Sequence, residues 1–298
     1  MKNNRKFISI ILCILGICCL VGALYLIATG LLDKQASEDT FEELRASREN
    51  YSELESLPLD DAEIATPSPA PLLPSPTAES SETATPEPTP EPTPVAIENP
   101  YRDSFLANDD MVAWLQIPDT VIDYPVMWTP DDETYYLYRD FNGKSNKNGC
   151  LLLDTDSSLD PLTTNLIIHG HNMKSGAMFG NLTDYEKKSY FETHREMYLY
   201  TEDCCKTYEV IAVFRSQVFK KSDNVFKFYK FFQADTQEEF DDFYNNIKSM
   251  SLYDTDVSAT FGDRFITLST CVYHVTNGRF VVVAKETGTA ESYLPFRD

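Results

Sequence analysis

Between residues 111 and 286 the apolar positions come in short blocks broken by polar turns. MVAWLQIP and TVIDYPVM read as two strands joined at Pro118-Asp119, and GCLLLD, TNLIIHGH, MYLYT, TYEVIAVFRSQV, DRFITLSTC and RFVVVAKE supply six more. Eight short strands with turn signals between them predict a closed barrel or a sandwich. One stretch departs from the strand pattern. Phe240, Phe243, Tyr244, Ile247 and Met250 recur at helical spacing behind a capping box of Thr236 and Glu239, so a helix is predicted over 236–251. The stretch MFGNLTDYEKKSYFETHR, ending at Arg195, also reads as mostly helical. The predicted fold class is mainly β with added helices, an α+β arrangement over residues 99–298.

The pattern before residue 99 differs in kind. Residues 1–6 carry Lys2, Arg5 and Lys6, whereas residues 7–32 hold no charge. Twenty-six uncharged, mostly apolar residues suffice to cross a hydrocarbon core of about 30 Å. A cleaved signal peptide is the alternative, since Ala28-Thr29-Gly30 places small residues suitably, but its apolar region is usually only about 7–15 residues long. One transmembrane anchor is therefore predicted over 7–32. Basic residues before it and acidic ones after it put the short tail 1–6 in the cytoplasm and the rest of the chain outside the cell membrane. Residues 33–57 are acidic, with Phe41, Leu44, Tyr51 and Leu54 at roughly helical spacing, as in a short helix next to the membrane. Twelve of the 17 prolines then fall between Pro58 and Pro100, among Thr, Ser and Glu. Such a composition builds no core and favours extended polyproline II. Residues 33–98 are thus predicted to be a stalk, its proline-rich part reaching on the order of 100 Å.

A net charge of −22 argues against a nucleic-acid partner, which needs a basic footprint. Of seven cysteines, Cys13, Cys18 and Cys19 lie in the predicted span and Cys150, Cys204, Cys205 and Cys271 outside it. Four external cysteines allow two disulfides, but a domain of this length buries enough core without them. Cys150 reads as a small core residue, and Cys204 and Cys205 as part of a turn.

The chemistry concentrates in ITLSTCVYHVTNGRFVVVAKE, residues 266–286. Read as a hairpin, it places Phe265, Thr267, Ser269 and Cys271 on one face of the first strand and brings Arg279 beside Cys271 across the loop. A thiol beside a fixed cation gains thiolate character, and the guanidinium can hydrogen-bond an acyl oxygen as charge develops on it. The same pattern also fits a buried structural cysteine near a surface arginine. A thiol nucleophile needs a proton partner. His274 lies in the loop and His194 among charged residues, which leaves His169 and His171. His171 follows Gly170, where a side chain can project from the strand end, but His169 stays open on this reading. HGH also has the look of a metal pair, yet no CxxC or HExxH accompanies it, and no metal or cofactor is predicted.

TLSTC followed by an arginine on RFVVVAK, with NLIIHGHN about a hundred residues earlier, resembles the signature of the sortases. These are cysteine transpeptidases that join proteins to the cell wall of Gram-positive bacteria. VAWLQIPDTVIDYPVM, YYLYRDFNGKSNKNG, AMFGNLTDYEKKSYFETH and the helix at 236–251 are similar to class B members in particular. The resemblance covers roughly residues 100–287 and implies an eight-stranded sortase-type barrel. It assigns the nucleophile to Cys271, the arginine to Arg279 and the histidine after glycine to His171, with Ser269 a candidate for positioning substrate. It further implies a C-terminal sorting motif, NPxTN-like in many class B members, as acyl donor and a peptidoglycan amine as acceptor, with no cofactor. A hydrolytic cysteine protease, a pilin-polymerising sortase and a stalked surface-binding module are the competing expectations. The proline-rich stalk is longer than the class leads one to expect.

Overall fold

Each of the eight apolar blocks becomes a strand in the computed structural model, which describes residues 15–25, 35, 38–46, 48, 97–273 and 275–297. The strands are β1 (Met111–Gln116), β2 (Asp123–Met127), β3 (Leu151–Leu153), β4 (Asn165–Gly170), β5 (Glu196–Tyr200), β6 (Cys204–Gln217), β7 (Phe265–Cys271) and β8 (Gly278–Ser292). They close into a barrel in the order β1-β2-β3-β4-β7-β8-β6-β5, so of the two architectures the pattern allowed, the barrel is the one formed. The β2–β3 and β4–β7 pairs are parallel and the others antiparallel.

β7 and β8 separate two cores. Ile266, Leu268, Phe280, Val282 and Ala284 join the larger cluster with Trp114, Leu166 and Ile168. Phe265, Val281 and Val283 face the other way and pack with Phe240, Phe243 and Ile247 of a covering helix. Apolar material on both sides explains why RFVVVAK reads as a continuous run instead of alternating. The helices α1 (Arg102–Ala107), α2 (Lys188–Thr193) and α3 (Gln237–Met250) lie around the barrel. The predicted capping box opens α3, with the Glu239 amide donating to Thr236 Oγ1 at 3.3 Å and the Thr236 amide donating to Glu239 Oε2 at 3.1 Å. Phe243 also stacks on Phe231, centroids 3.9 Å apart, which ties the segment before α3 to it.

The stretch ending at Arg195 is less helical than predicted. It breaks into a 3-10 turn at Leu182–Glu186 and the six-residue α2, with Lys187 extended between them (φ −92°, ψ 122°). Leu182, Tyr185 and Phe191 are all buried from these two short pieces, so tertiary packing overrides helix propensity. Cys204 and Cys205 are not in a turn but begin β6, where Cys205 is buried and burial pushes its thiol up to about 12. Cys150 is buried in the core, and its thiol too is raised by burial. The six described cysteines are free thiols.

Residues 38–46 form a helix lying on the barrel, with Phe41 only 2 % exposed and Leu44 packed on the same core. Of the predicted anchor 7–32, residues 15–25 are described, as exposed helix, and the rest lies outside the described residues, as does the proline-rich stretch up to residue 96. Among the described residues no helix is long and apolar enough to cross a membrane.

Candidate active site

The strand ends that carry the candidate chemistry are brought together by two registers. β4 and β7 run parallel with Gly170 opposite Thr270, so His171 and Cys271 leave the two strands side by side. β7 and β8 run antiparallel with Cys271 directly opposite Arg279. The connecting loop is six residues, 272–277, and His274 within it lies outside the described residues. Two hydrogen bonds fasten the β4 and β7 ends to each other. Asn172 Nδ2 donates to the Cys271 carbonyl at 2.9 Å, and Thr270 Oγ1 donates to the Gly170 carbonyl at 2.7 Å. Gly170 has no room for a side chain: a Cβ there meets Leu151 and Phe179 atoms at 2.6 Å. That is the local reason a glycine precedes His171.

Cys271 is exposed, the state a nucleophile needs, unlike Cys150 and Cys205. It is therefore not a buried cysteine. Cross-strand partners have Cβ atoms roughly 5 Å apart, so the Arg279 side chain starts beside that of Cys271. Arg279 Nη1 donates to the carbonyls of Gly278 (3.1 Å) and Asn277 (3.4 Å), which holds the cation at the mouth of the hairpin.

The two histidines of HGH have separate partners. His171 Nε2 lies 2.8 Å from the Leu137 carbonyl. A carbonyl only accepts, so Nε2 carries the hydrogen and Nδ1 is left to exchange a proton. Leu137 belongs to the 3-10 turn Tyr135–Tyr138, and carbonyls near the end of such a turn lack helical partners. Tyr138 of the same turn lays its ring against the imidazole, centroids 5.3 Å apart. His169 Nε2 instead meets Asp154 Oδ2 at 3.0 Å. Burial opposes ionisation of Asp154, but the hydrogen bonds from His169 and the Asp156 amide outweigh it and hold the carboxyl below its ordinary value. His194 caps α2, its Nδ1 2.8 Å from the Tyr190 carbonyl, and stands apart from these strand ends in the chain order of the barrel.

Ser269 shares the face of Cys271 but is 2 % exposed, and its buried Oγ has no hydrogen-bond partner among the described residues. It sits beside His169 in the β4–β7 register. A hydroxyl so enclosed reaches a substrate only if the groups over it part. Leu137, Tyr138, Asn172 and Asp154 were not singled out from the sequence. Asn172, directly after the histidine, was the one with a local signal; Leu137 acts through its carbonyl, which no side-chain pattern reveals.

The closed eight-stranded barrel thus brings a thiol, an imidazole and a guanidinium to adjoining strand ends, an arrangement suited to cysteine acyl transfer. The sortase-domain family model matches residues 115–287, and the chain belongs to the sortase family. It is 33 % identical over 193 residues to sortase B of Listeria monocytogenes, covering 63 % of this chain and 74 % of that one. It is 31 % identical over 188 residues to sortase B of Staphylococcus aureus, covering 60 % and 70 %. The structure of a Staphylococcus aureus sortase B–substrate complex superposes with a TM-score of 0.58 at 28 % identity, over 65 % of this chain and 87 % of that one. Sortase B from Bacillus anthracis in complex with AAEK1 gives 0.55 at 30 % identity, over 63 % and 84 %. As a sortase of this B-like kind, the chain is a cysteine transpeptidase.

Proposed function

We propose that Cys271 is the nucleophile, His171 the acid and base, and Arg279 the oxyanion and backbone binder of a transpeptidase that joins secreted proteins to the cell wall. The observation that carries this reading is the pair of registers that sets His171 and Arg279 on either side of an exposed Cys271. The Cys271 thiolate attacks the threonine carbonyl of a C-terminal sorting motif, and Arg279 hydrogen-bonds the oxygen as it becomes negative. The C–N bond breaks as His171 gives its proton to the departing amine, leaving a thioester. A peptidoglycan amine then attacks the thioester, His171 takes a proton from it, and a new amide forms as the thiolate leaves. The amide bond lost is replaced by the amide bond gained, so no outside energy source is needed. Residues 7–32 serve as the anchor, with residues 1–6 in the cytoplasm and the barrel outside.

The test uses the full chain with a panel of sorting-motif peptides, NPxTN-like ones included, and candidate wall amines, read by mass spectrometry. A thioester on Cys271 and an amine-linked product, both absent from Cys271→Ala, are the expected result. Hydrolysis alone with amine in excess means a protease, and unchanged product formation by Cys271→Ala removes the nucleophile assignment.

A further inference from the structure

Residues 38–46 and 48 are separated by a 48-residue interval from the described residues that begin at 97, yet they are bonded to the barrel. The Phe41 ring meets the Tyr124 ring edge-on at 5.1 Å. Arg45 donates from Nε and Nη2 to the Asp123 carbonyl at 3.1 and 3.0 Å, and its guanidinium lies 5.1 Å over the Tyr124 ring. Arg48 donates to the Tyr101 hydroxyl at 2.7 Å and reaches both Asp123 carboxylate oxygens at 3.3 Å. That carboxylate also accepts from Trp114 Nε1 at 2.6 Å. A buried phenylalanine and two arginines that each make more than one hydrogen bond make this a built contact, not a surface brush.

The loop that begins at His171 also rests on Tyr124. The Tyr124 hydroxyl accepts from the Met178 amide at 3.3 Å. Met178 bridges back to Asn172, and the Phe179 amide donates to the His171 carbonyl at 3.0 Å. Asn172 in turn holds the Cys271 carbonyl. Met178 has a left-handed backbone (φ 53°), a conformation that a non-glycine residue keeps only when its surroundings impose it. A cleft of about 370 Å³ runs between the helix, at Phe41 and Arg45, and this loop, at Ser175 to Met178. Tyr124 is thus touched by both the helix and the loop, through bonds the structure records for each.

We propose that residues 38–48 are a positioning element of the catalytic domain: seated on Tyr124, they hold the His171–Phe179 loop and so the His171 ring beside Cys271. Phe41, Arg45 and Tyr124 act through the loop and touch no substrate. The catalytic unit then starts near residue 38, not at 99. Because Arg48 bonds Tyr101, the described residues on either side of the interval 49–96 are held together on the barrel, and the length of that interval does not set how far the barrel stands from residue 38. The inference rests on His171 and Cys271 being the catalytic pair.

The experiment compares full-length Phe41→Ala/Arg45→Ala, Phe41→Leu and Tyr124→Phe with the wild type for transpeptidation kinetics and thermal unfolding. The double variant is expected to lose about tenfold or more in kcat with KM within about twofold, since small misplacements of a catalytic group are costly even when binding survives. Tyr124→Phe, which removes the acceptor for the Met178 amide and the hydroxyl's bond with Arg45 but keeps the ring, loses a smaller part in kcat with the barrel's unfolding temperature unchanged. Phe41→Leu, which refills the apolar seat, restores kcat. Lowered unfolding temperature with kcat and KM unchanged makes the helix merely structural and overturns the proposal. A change confined to KM overturns it also. An inactive Cys271→Ala alongside an unaffected double variant sinks this inference alone, whereas an active Cys271→Ala sinks the catalytic assignment beneath it.

Discussion

Two regions of this barrel hang polar side chains on backbone carbonyls, and they do so for opposite ends. At the strand ends, His171 donates to Leu137 and Arg279 to Gly278 and Asn277, while Cys271 stays exposed. At the N-terminal seat, Arg45 donates to Asp123 around a phenylalanine that is almost wholly buried. The first region keeps its reactive groups open and is organised by strand register. The second is closed and organised by packing between segments 78 residues apart in sequence. Reactivity needs the exposure that the seat gives up, and the seat supplies the burial that the strand ends cannot.

The largest expected effect falls on the open region. His171→Gln should lower kcat/KM by about 10²–10⁴, the range of a general acid–base group, while His169→Gln stays near wild type. Equal losses from both would erase the distinction between the two histidines. Next comes Arg279→Lys, which keeps the charge but loses the fork. A drop of about 10²–10³ in kcat with the thioester still detectable is expected, as for loss of an oxyanion donor. Full activity in Arg279→Lys would reduce its role to charge alone.

Smaller effects test what surrounds the site. The Asp154 carboxyl is held below its ordinary value, so its ionised form favours the folded state. That contribution is present above about pH 4 and fades as pH falls through the depressed folded value. The unfolding temperature of Asp154→Asn should therefore lie below wild type at pH 6, by no more than about 1 kcal/mol in stability, and the two should converge toward pH 3. A gap that widens on acidification would contradict the pairing with His169. Smallest of all is the effect of the interval between the two regions. Deleting half of residues 49–96 should leave kcat and KM unchanged and raise stability by only about 0.6 kcal/mol, the loop-closure change for a twofold shortening. Loss of activity on shortening would mean that the interval itself bears on the site.

The alternation and spacing of apolar residues were enough to find all eight strands, the capped helix at 237–250 and the hairpin that pairs Cys271 with Arg279. These are short-range matters: side-chain period, turn residues and caps are written into consecutive positions. The helix predicted up to Arg195 failed because Tyr185 and Phe191 are drawn into the core from separate short pieces. Cys204 and Cys205 were misread as a turn because the pairing of β6 with β8 runs past the apolar block into polar residues. Choosing His171 over His169 took more than pattern, since both lie on one strand face. Only the tertiary structure decided that His169 goes to Asp154 and His171 to Leu137, that Ser269 is enclosed, and that residues 38–48 return to the barrel across a proline-rich interval. Each depends on which distant segments meet, and a contact between residues 48 and 101 leaves no mark on the local pattern of either.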